Sequence, residues 1–181
     1  ANPVRPFLIG GVSRASTVVE AAMSYSITDK CVGCGMCRKI CPVACIDGQP
    51  RKLHVVVSDR CIDCGACGRI CPHDAVLDDR GRLCERIRRK ALNWEKPLID
   101  YARCMSFAIC IEVCPTACLA AIHTEDTRDR KVYPWLAHPE ACIGCRFCAL
   151  ECPVDAVVMK SVAEMAEDEK KALDGPFPNG I

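Results

Sequence analysis

The residues best equipped for chemistry are cysteines, 18 of 181. They fall in runs. Cys31, Cys34, Cys37 and Cys41 precede Pro42; Cys61, Cys64, Cys67 and Cys71 precede Pro72; Cys142, Cys145, Cys148 and Cys152 precede Pro153. Each run reads C-x2-C-x2-C-x3-C-P. A fourth run, "CMSFAICIEVCP", keeps Cys104, Cys110 and Cys114 but has Phe107 where the others place a cysteine. Thiolates are soft donors suited to iron–sulfur clusters and zinc. A C-x2-C-x2-C loop can wrap one face of a cube and hold three irons locally. The fourth iron then needs a more distant thiolate, which the C-x3-C-P element can supply. A zinc ribbon would use paired C-x2-C units without the third cysteine or the proline. A disulfide scaffold would scatter its cysteines.

The elements around these runs must position them. The 50% hydrophobic share includes the cysteines, and only 5% of the residues are aromatic. Without the cysteines the apolar share is roughly 40%, low for a globular chain. Metal centres are expected to supplement a small core. The runs begin at Cys31, Cys61, Cys104 and Cys142, with the widest gap in the middle. That spacing divides the chain into an N-terminal extension (1–23), a first module (24–79), a basic bridge (80–97), a second module (98–160) and a C-terminal helix and tail (161–181). Hairpins are expected between the runs: one turns at Asp47-Gly48-Gln49-Pro50 and returns through Val55–Val57, the other returns through Val132-Tyr133. Short helices are expected after the third cysteine of each run.

Ile46, Val76, Leu119 and Val157, each five residues past a fourth cysteine, are expected to pack against the metal sites. Cys45 and Cys118 occupy the repeat position of Ala75 and Ala156 and read as small buried fillers, with Cys118 a second candidate for the degenerate site. Cys84 has no evident role. His73 follows Pro72 and is placed to tune a site; His54, His123 and His138 show no ligand spacing. Ser13–Met23 reads as a short helix. The bridge "RGRLCERIRRK" reads as a solvated helix face or a docking surface. The tail with Pro176, Phe177 and Pro178 suits a chain that wraps a neighbour.

The complete runs resemble those of the bacterial two-cluster ferredoxins over about residues 25–160. The resemblance implies an α+β fold: two tandem ferredoxin-like modules with N- and C-terminal extensions. In that family the fourth cysteine of a run ligates the other cluster of its pair. This implies one [4Fe–4S] cluster on Cys31, Cys34, Cys37 and Cys71. A second falls on Cys61, Cys64, Cys67 and Cys41, and a third on Cys142, Cys145, Cys148 and Cys114. The fourth site keeps Cys104, Cys110 and Cys152, and Phe107 cannot ligate. A [3Fe–4S] core, an empty site, zinc and a cube with a non-cysteine ligand stay open there.

No P-loop, G-x-G-x-x-G or radical-SAM run occurs, and no substrate site is evident. The expected function is one-electron transfer by a non-catalytic subunit of a larger redox enzyme. The size, the two modules and the degenerate third run resemble small polyferredoxin subunits of tungsten enzymes of the aldehyde oxidoreductase family, the class II benzoyl-CoA reductase type above all. The iron–sulfur subunits of molybdopterin oxidoreductases or hydrogenases are the alternative, and a redox-sensing adaptor is a third reading. Other electron-transfer proteins are expected partners. The formal charge is +1, and three clusters at about −2 each would take it to about −5, which argues against nucleic acid. No apolar run is long enough to span a membrane. Thiolate centres and the absence of an export signal suggest the cytoplasm.

Overall fold

The computed structural model describes residues 24–88, 90–123 and 131–171. The expected helix at Ser13–Met23, the turn of the second hairpin and the end of the tail lie outside the described residues. The fold mixes short helices with two-stranded antiparallel sheets.

In the first half, β1 (Ser26–Ile27) pairs with β4 (Val76–Leu77), and β2 (Ile46–Asp47) pairs with β3 (Val55–Val56). In the second, β5 (Glu95–Ile99) pairs with β8 (Val157–Ser161), and β6 (Leu119–His123) pairs with β7 (Val132–Leu136). Each half thus has an inner hairpin between its two runs and an outer pair joining its ends. The hairpins fall where the turn residues and β-branched runs place them. Pro97 and Pro134 sit inside strands, which two-stranded sheets tolerate because every strand has a free edge.

The helices start two residues earlier than expected, one before the third cysteine of each run: α1 (Met36–Ile40), α2 (Ala66–Ile70), α3 (Ile109–Glu112) and α4 (Phe147–Leu150) all contain that cysteine. The reason is the residue before each helix. Gly35, Gly65, Ala108 and Arg146 all adopt left-handed backbone, which turns the chain sharply out of the cysteine loop and into a helix. α1 and α2 end at Cys41 and Cys71, both extended, because a residue before proline is pushed out of the α region. A last helix, α5 (Glu167–Lys171), is tied to β8 by an ion pair between Lys160 and Glu169.

The basic bridge is not helical as expected. Leu83 forms a β-bridge to Leu77, and the Cys84 amide donates to the Val76 carbonyl at 2.9 Å. The Ile87 amide donates to the Arg69 carbonyl at 3.0 Å, and only a 3-10 turn at Ala91–Asn93 follows. Arg80, Arg82, Glu85, Arg86, Arg88 and Lys90 are exposed while Leu83, Cys84 and Ile87 lie along the first half, so an extended segment satisfies both better than a helix. Cys84 gains a role here, packed against Gly68 of α2.

The core has three apolar clusters. One holds Cys37, Cys45, Ile46, Cys67 and Val76; a second holds Cys110, Cys118, Leu119, Leu136, Cys142, Cys148 and Val157. Ile46, Val76, Leu119 and Val157 are therefore buried among the cysteines, as their spacing suggests. The third, Ala66, Trp94 and Ile143, lies between the halves.

Candidate iron–sulfur centres

All eighteen cysteines are free of disulfides. Four cavities collect them. Cys31, Cys34, Cys37 and Cys71 line one, and Cys61, Cys64, Cys67 and Cys41 line another. Cys142, Cys145, Cys148 and Cys114 line a third. Cys104, Cys110 and Cys152 line the last, with Phe107 and Ser106. In these four cavities every set combines one run with the other run of the same half. Among the described residues no three His, Cys, Asp or Glu side chains lie close enough to grip a single metal ion. The cysteines instead stand around apolar cavities, a donor set that fits a cluster with iron and sulfide between the thiolates.

The loops that present them repeat one backbone pattern. The residue two past the first cysteine has positive φ in every run: Gly33 (69°), Asp63 (52°), Ser106 (60°) and Gly144 (61°). So does the residue before each helix, and so does the third residue past each fourth cysteine, namely Ala44, Asp74, Ala117 and Asp155. These turns aim amides at sulfur: Gly33 N lies 3.4 Å from Cys31 Sγ, Cys45 N 3.4 Å from Cys41 Sγ, and Ala156 N 3.2 Å from Cys152 Sγ. Such donors stabilise a thiolate without water.

The environment bears on how the thiols ionise. Burial pushes Cys37 and Cys110 up to about 11 and Cys148 up to about 12, and raises Cys67. These sulfurs therefore need a metal partner to lose their protons, which couples loading to folding. The Cys118 thiol does the reverse for its neighbours. Its hydrogen bonds hold Cys114, at 3.3 Å, and Cys142 below the usual thiol range, while its own value rises. Cys118 thus belongs beside the third cavity, which it lines, not the degenerate one. Cys45 sits likewise beside Cys41, at 3.4 Å.

Sequence reasoning missed His54. It is buried, with Nδ1 3.6 Å from Cys31 Sγ, and it lines the first cavity. The only signal was Gly48, whose Cβ would lie 2.5 Å from the His54 ring. His73 sits exposed at the same cavity.

Phe107 does not fill the degenerate cavity. It lines the cavity from an exposed position (54%), alongside Cys104, Cys110 and Cys152. Ser106 Oγ is buried there without a hydrogen-bond partner among the described residues.

The 4Fe-4S dicluster domain family matches residues 30–75, and the 4Fe-4S binding domain family matches residues 137–158. An uncharacterized ferredoxin of Methanocaldococcus jannaschii is 35% identical over 74 residues, 41% of this chain and 90% of its own length. Pyruvate synthase subunit PorD of Methanothermobacter marburgensis is 40% identical over 75 residues, 40% of this chain and 78% of its own. Ferredoxin-3 of a Nostoc species is 41% identical over 66 residues, 30% of this chain and 67% of its own. A chain of the formate dehydrogenase–heterodisulfide reductase–formylmethanofuran dehydrogenase complex from Methanospirillum hungatei matches with a TM-score of 0.36 and 19% identity, over 83% of this chain and 56% of that one. The chain belongs to the 4Fe-4S ferredoxin family. It is an iron–sulfur electron-transfer protein. No helix among the described residues is long and apolar enough to cross a membrane.

Proposed function

We propose that this chain is the electron-transfer subunit of a larger oxidoreductase, with two tandem ferredoxin-like modules carrying a row of clusters. The observation that carries the reading is that each cavity draws its last cysteine from the neighbouring run of its own half. Three [4Fe–4S] clusters would be held by Cys31, Cys34, Cys37 and Cys71; by Cys61, Cys64, Cys67 and Cys41; and by Cys142, Cys145, Cys148 and Cys114. When bound, such clusters supply one-electron chemistry at potentials set by their surroundings. The chain's own part is to bury the thiolates, exclude water and aim amides at sulfur. The apolar clusters support an order. Cys37 and Cys67 share one, Cys64 and Cys145 pack on the next, and Cys110 and Cys148 share the last. The row therefore runs from the Cys31 site through the Cys61 and Cys142 sites to the degenerate site. Exposed Cys34 faces solvent at the first end.

The degenerate site is read as a [3Fe–4S] core on Cys104, Cys110 and Cys152, with Phe107 at its mouth. Its cavity is retained, and Ser106 and Ala108 keep the left-handed backbone of the complete runs. That conformation costs roughly 1–2 kcal/mol per non-glycine residue, a cost without purpose in an abandoned loop.

A free carrier needs one module, so a second one favours a bound subunit. The relative named as a pyruvate synthase subunit supports that role. A tungsten enzyme of the class II benzoyl-CoA reductase type is the favoured partner, with a molybdopterin enzyme as the alternative and the cytoplasm as the expected compartment. The test is anaerobic purification from the native source with iron, sulfide, tungsten and molybdenum analysis. The expected result is about 15 irons per chain, the content of three cubes and one three-iron core, and a larger metal-containing subunit that co-purifies. A chain that purifies alone with zinc in place of iron would overturn the reading.

A further inference from the structure

Two cations, buried Lys96 and half-buried Arg69, lie between the halves. Lys96 is fully buried (0% exposed), and its Nζ donates to the carbonyls of Cys142 at 2.8 Å and Ala91 at 3.2 Å. Arg69 Nη2 donates to the carbonyls of Cys64 at 2.8 Å and Ile143 at 3.1 Å, spanning 74 residues of chain. Its guanidinium lies 5.4 Å from the ring centroid of Trp94, which is 2% exposed. Arg69 Nε is buried without a hydrogen-bond partner among the described residues. Trp94, Ala66 and Ile143 form the apolar floor, and Cys64 and Cys145 pack against it from opposite halves.

Neither cation has a carboxylate ion-pair partner among the described residues. A buried ammonium without a counter-charge is strongly disfavoured. Burial disfavours the charge on Lys96, and the groups that oppose this are Cys142 first, then Cys118 and Glu140; Arg69 faces the thiols of Cys64 and Cys84. Each side chain reaches the carbonyl of a cysteine proposed as a ligand, Cys142 for Lys96 and Cys64 for Arg69, with Ala91 and Ile143 as the second acceptors. The charge that balances them is therefore that of the two sites they separate.

We propose that Arg69 and Lys96 form a cationic seam that holds the Cys61 and Cys142 sites side by side and sets the electron step between them. The inference rests on the proposed row of clusters. In that step one electron crosses from the Cys64 side to the Cys145 side: the site it leaves is oxidised by one electron, the site it enters is reduced by one, and no proton or bond is exchanged. Two anionic centres side by side repel, and each becomes more negative on reduction. Fixed positive charge between them offsets this and favours the reduced form on both sides. Arg69 and Lys96 touch no reacting atom, so they are positioning residues.

The test uses the full chain with its clusters, reduced with dithionite and followed by EPR during a redox titration. The variants are Arg69→Gln, Arg69→Lys and Lys96→Met. Iron content is measured on each first. Wild-type protein without iron would sink the cluster reading itself, separately from the seam. With iron at the wild-type level, Arg69→Gln and Lys96→Met are expected to make reduction of the flanking sites about tenfold harder, a shift of about 59 mV per one-electron step. The step of the Cys31 site should stay in place. Arg69→Lys, which keeps the charge but loses the planar fork, should hold the potentials while weakening the spin–spin interaction between the two reduced sites. Arg69 is only half-buried, so its variants remain informative if Lys96→Met fails to fold. A reduction equilibrium within twofold of wild type in Arg69→Gln, a shift below about 18 mV, or an equal shift of every step, would overturn the seam.

Discussion

Gly33→Ala should be far more damaging than Gly35→Ala, two residues away in the same loop. Both glycines have left-handed backbone, φ +69° and +78°, so a side chain costs roughly 1–2 kcal/mol at either position. The surroundings differ. A Cβ on Gly33 would lie 2.3 Å from Lys52 N, 2.5 Å from Lys52 O and 2.6 Å from Arg51 N. All three are main-chain atoms, so no rotamer change relieves the clash, and overpacking adds about 1–3 kcal/mol. The hairpin turn must move away, which strains the bond from Arg51 N to Gly33 O, 3.0 Å long and worth about 1 kcal/mol. The total is about 3–6 kcal/mol. A Cβ on Gly35 would meet nothing within 4 Å, and Ala108 and Arg146 already fill the equivalent place at φ 59° and 71°. The difference, about 2–4 kcal/mol, is on the order of 30- to 1,000-fold in an equilibrium constant. Anaerobic urea unfolding, followed by loss of cluster absorbance, measures it. Equal midpoints for the two variants would refute the claim that the hairpin backbone is seated on Gly33.

Three further outcomes are expected. Cys71→Ser should reduce the iron bound by Cys31, Cys34 and Cys37 while leaving the spectrum of the second half intact, as site-resolved Mössbauer or EPR spectra would show; loss in the second half instead would contradict ligand exchange within each half. Gly68→Ala should destabilise by about 1–3 kcal/mol, because its Cβ would lie 2.4 Å from Cys84 Cβ; an unchanged urea midpoint would remove Cys84 from the packing of α2. Phe107→Cys should raise iron content by about one atom per chain if a three-iron core is present, since only one corner of a cube is missing; no gain in metal analysis would mean the loop, not the ring, closes the site.

The part of this molecule that was legible in the sequence is the part written locally. Cysteine spacing located the sulfurs that each run presents together, because a C-x2-C-x2-C loop places them through its own backbone; the distant cysteine of each set was implied by the resemblance to two-cluster ferredoxins. Asp47-Gly48 and the Val55 run located the first hairpin, and Val76 and its three equivalents were found by counting from a fourth cysteine. The helix starts were two residues off because the left-handed turn before each helix is carried by Gly, Ala and Arg alike, so residue type does not reveal it. The bridge read as helical from its charge, yet Ile87, Leu83 and Cys84 find partners only along the first half. Arg69, Trp94, Lys96 and Ile143 carried no signal at all. Their contacts join residues as far as 74 positions apart, and nothing in either half announces the other.

The most direct test of the central claim is an EPR-monitored redox titration of the anaerobically purified, intact chain. Low-potential centres that reduce and reoxidise one electron at a time, with three cube signals and an additional signal in the oxidised protein from a three-iron core, are the expected result. Clusters that are lost on the first redox cycle, or iron that takes up no electron reversibly, would contradict electron transfer as the function of this chain.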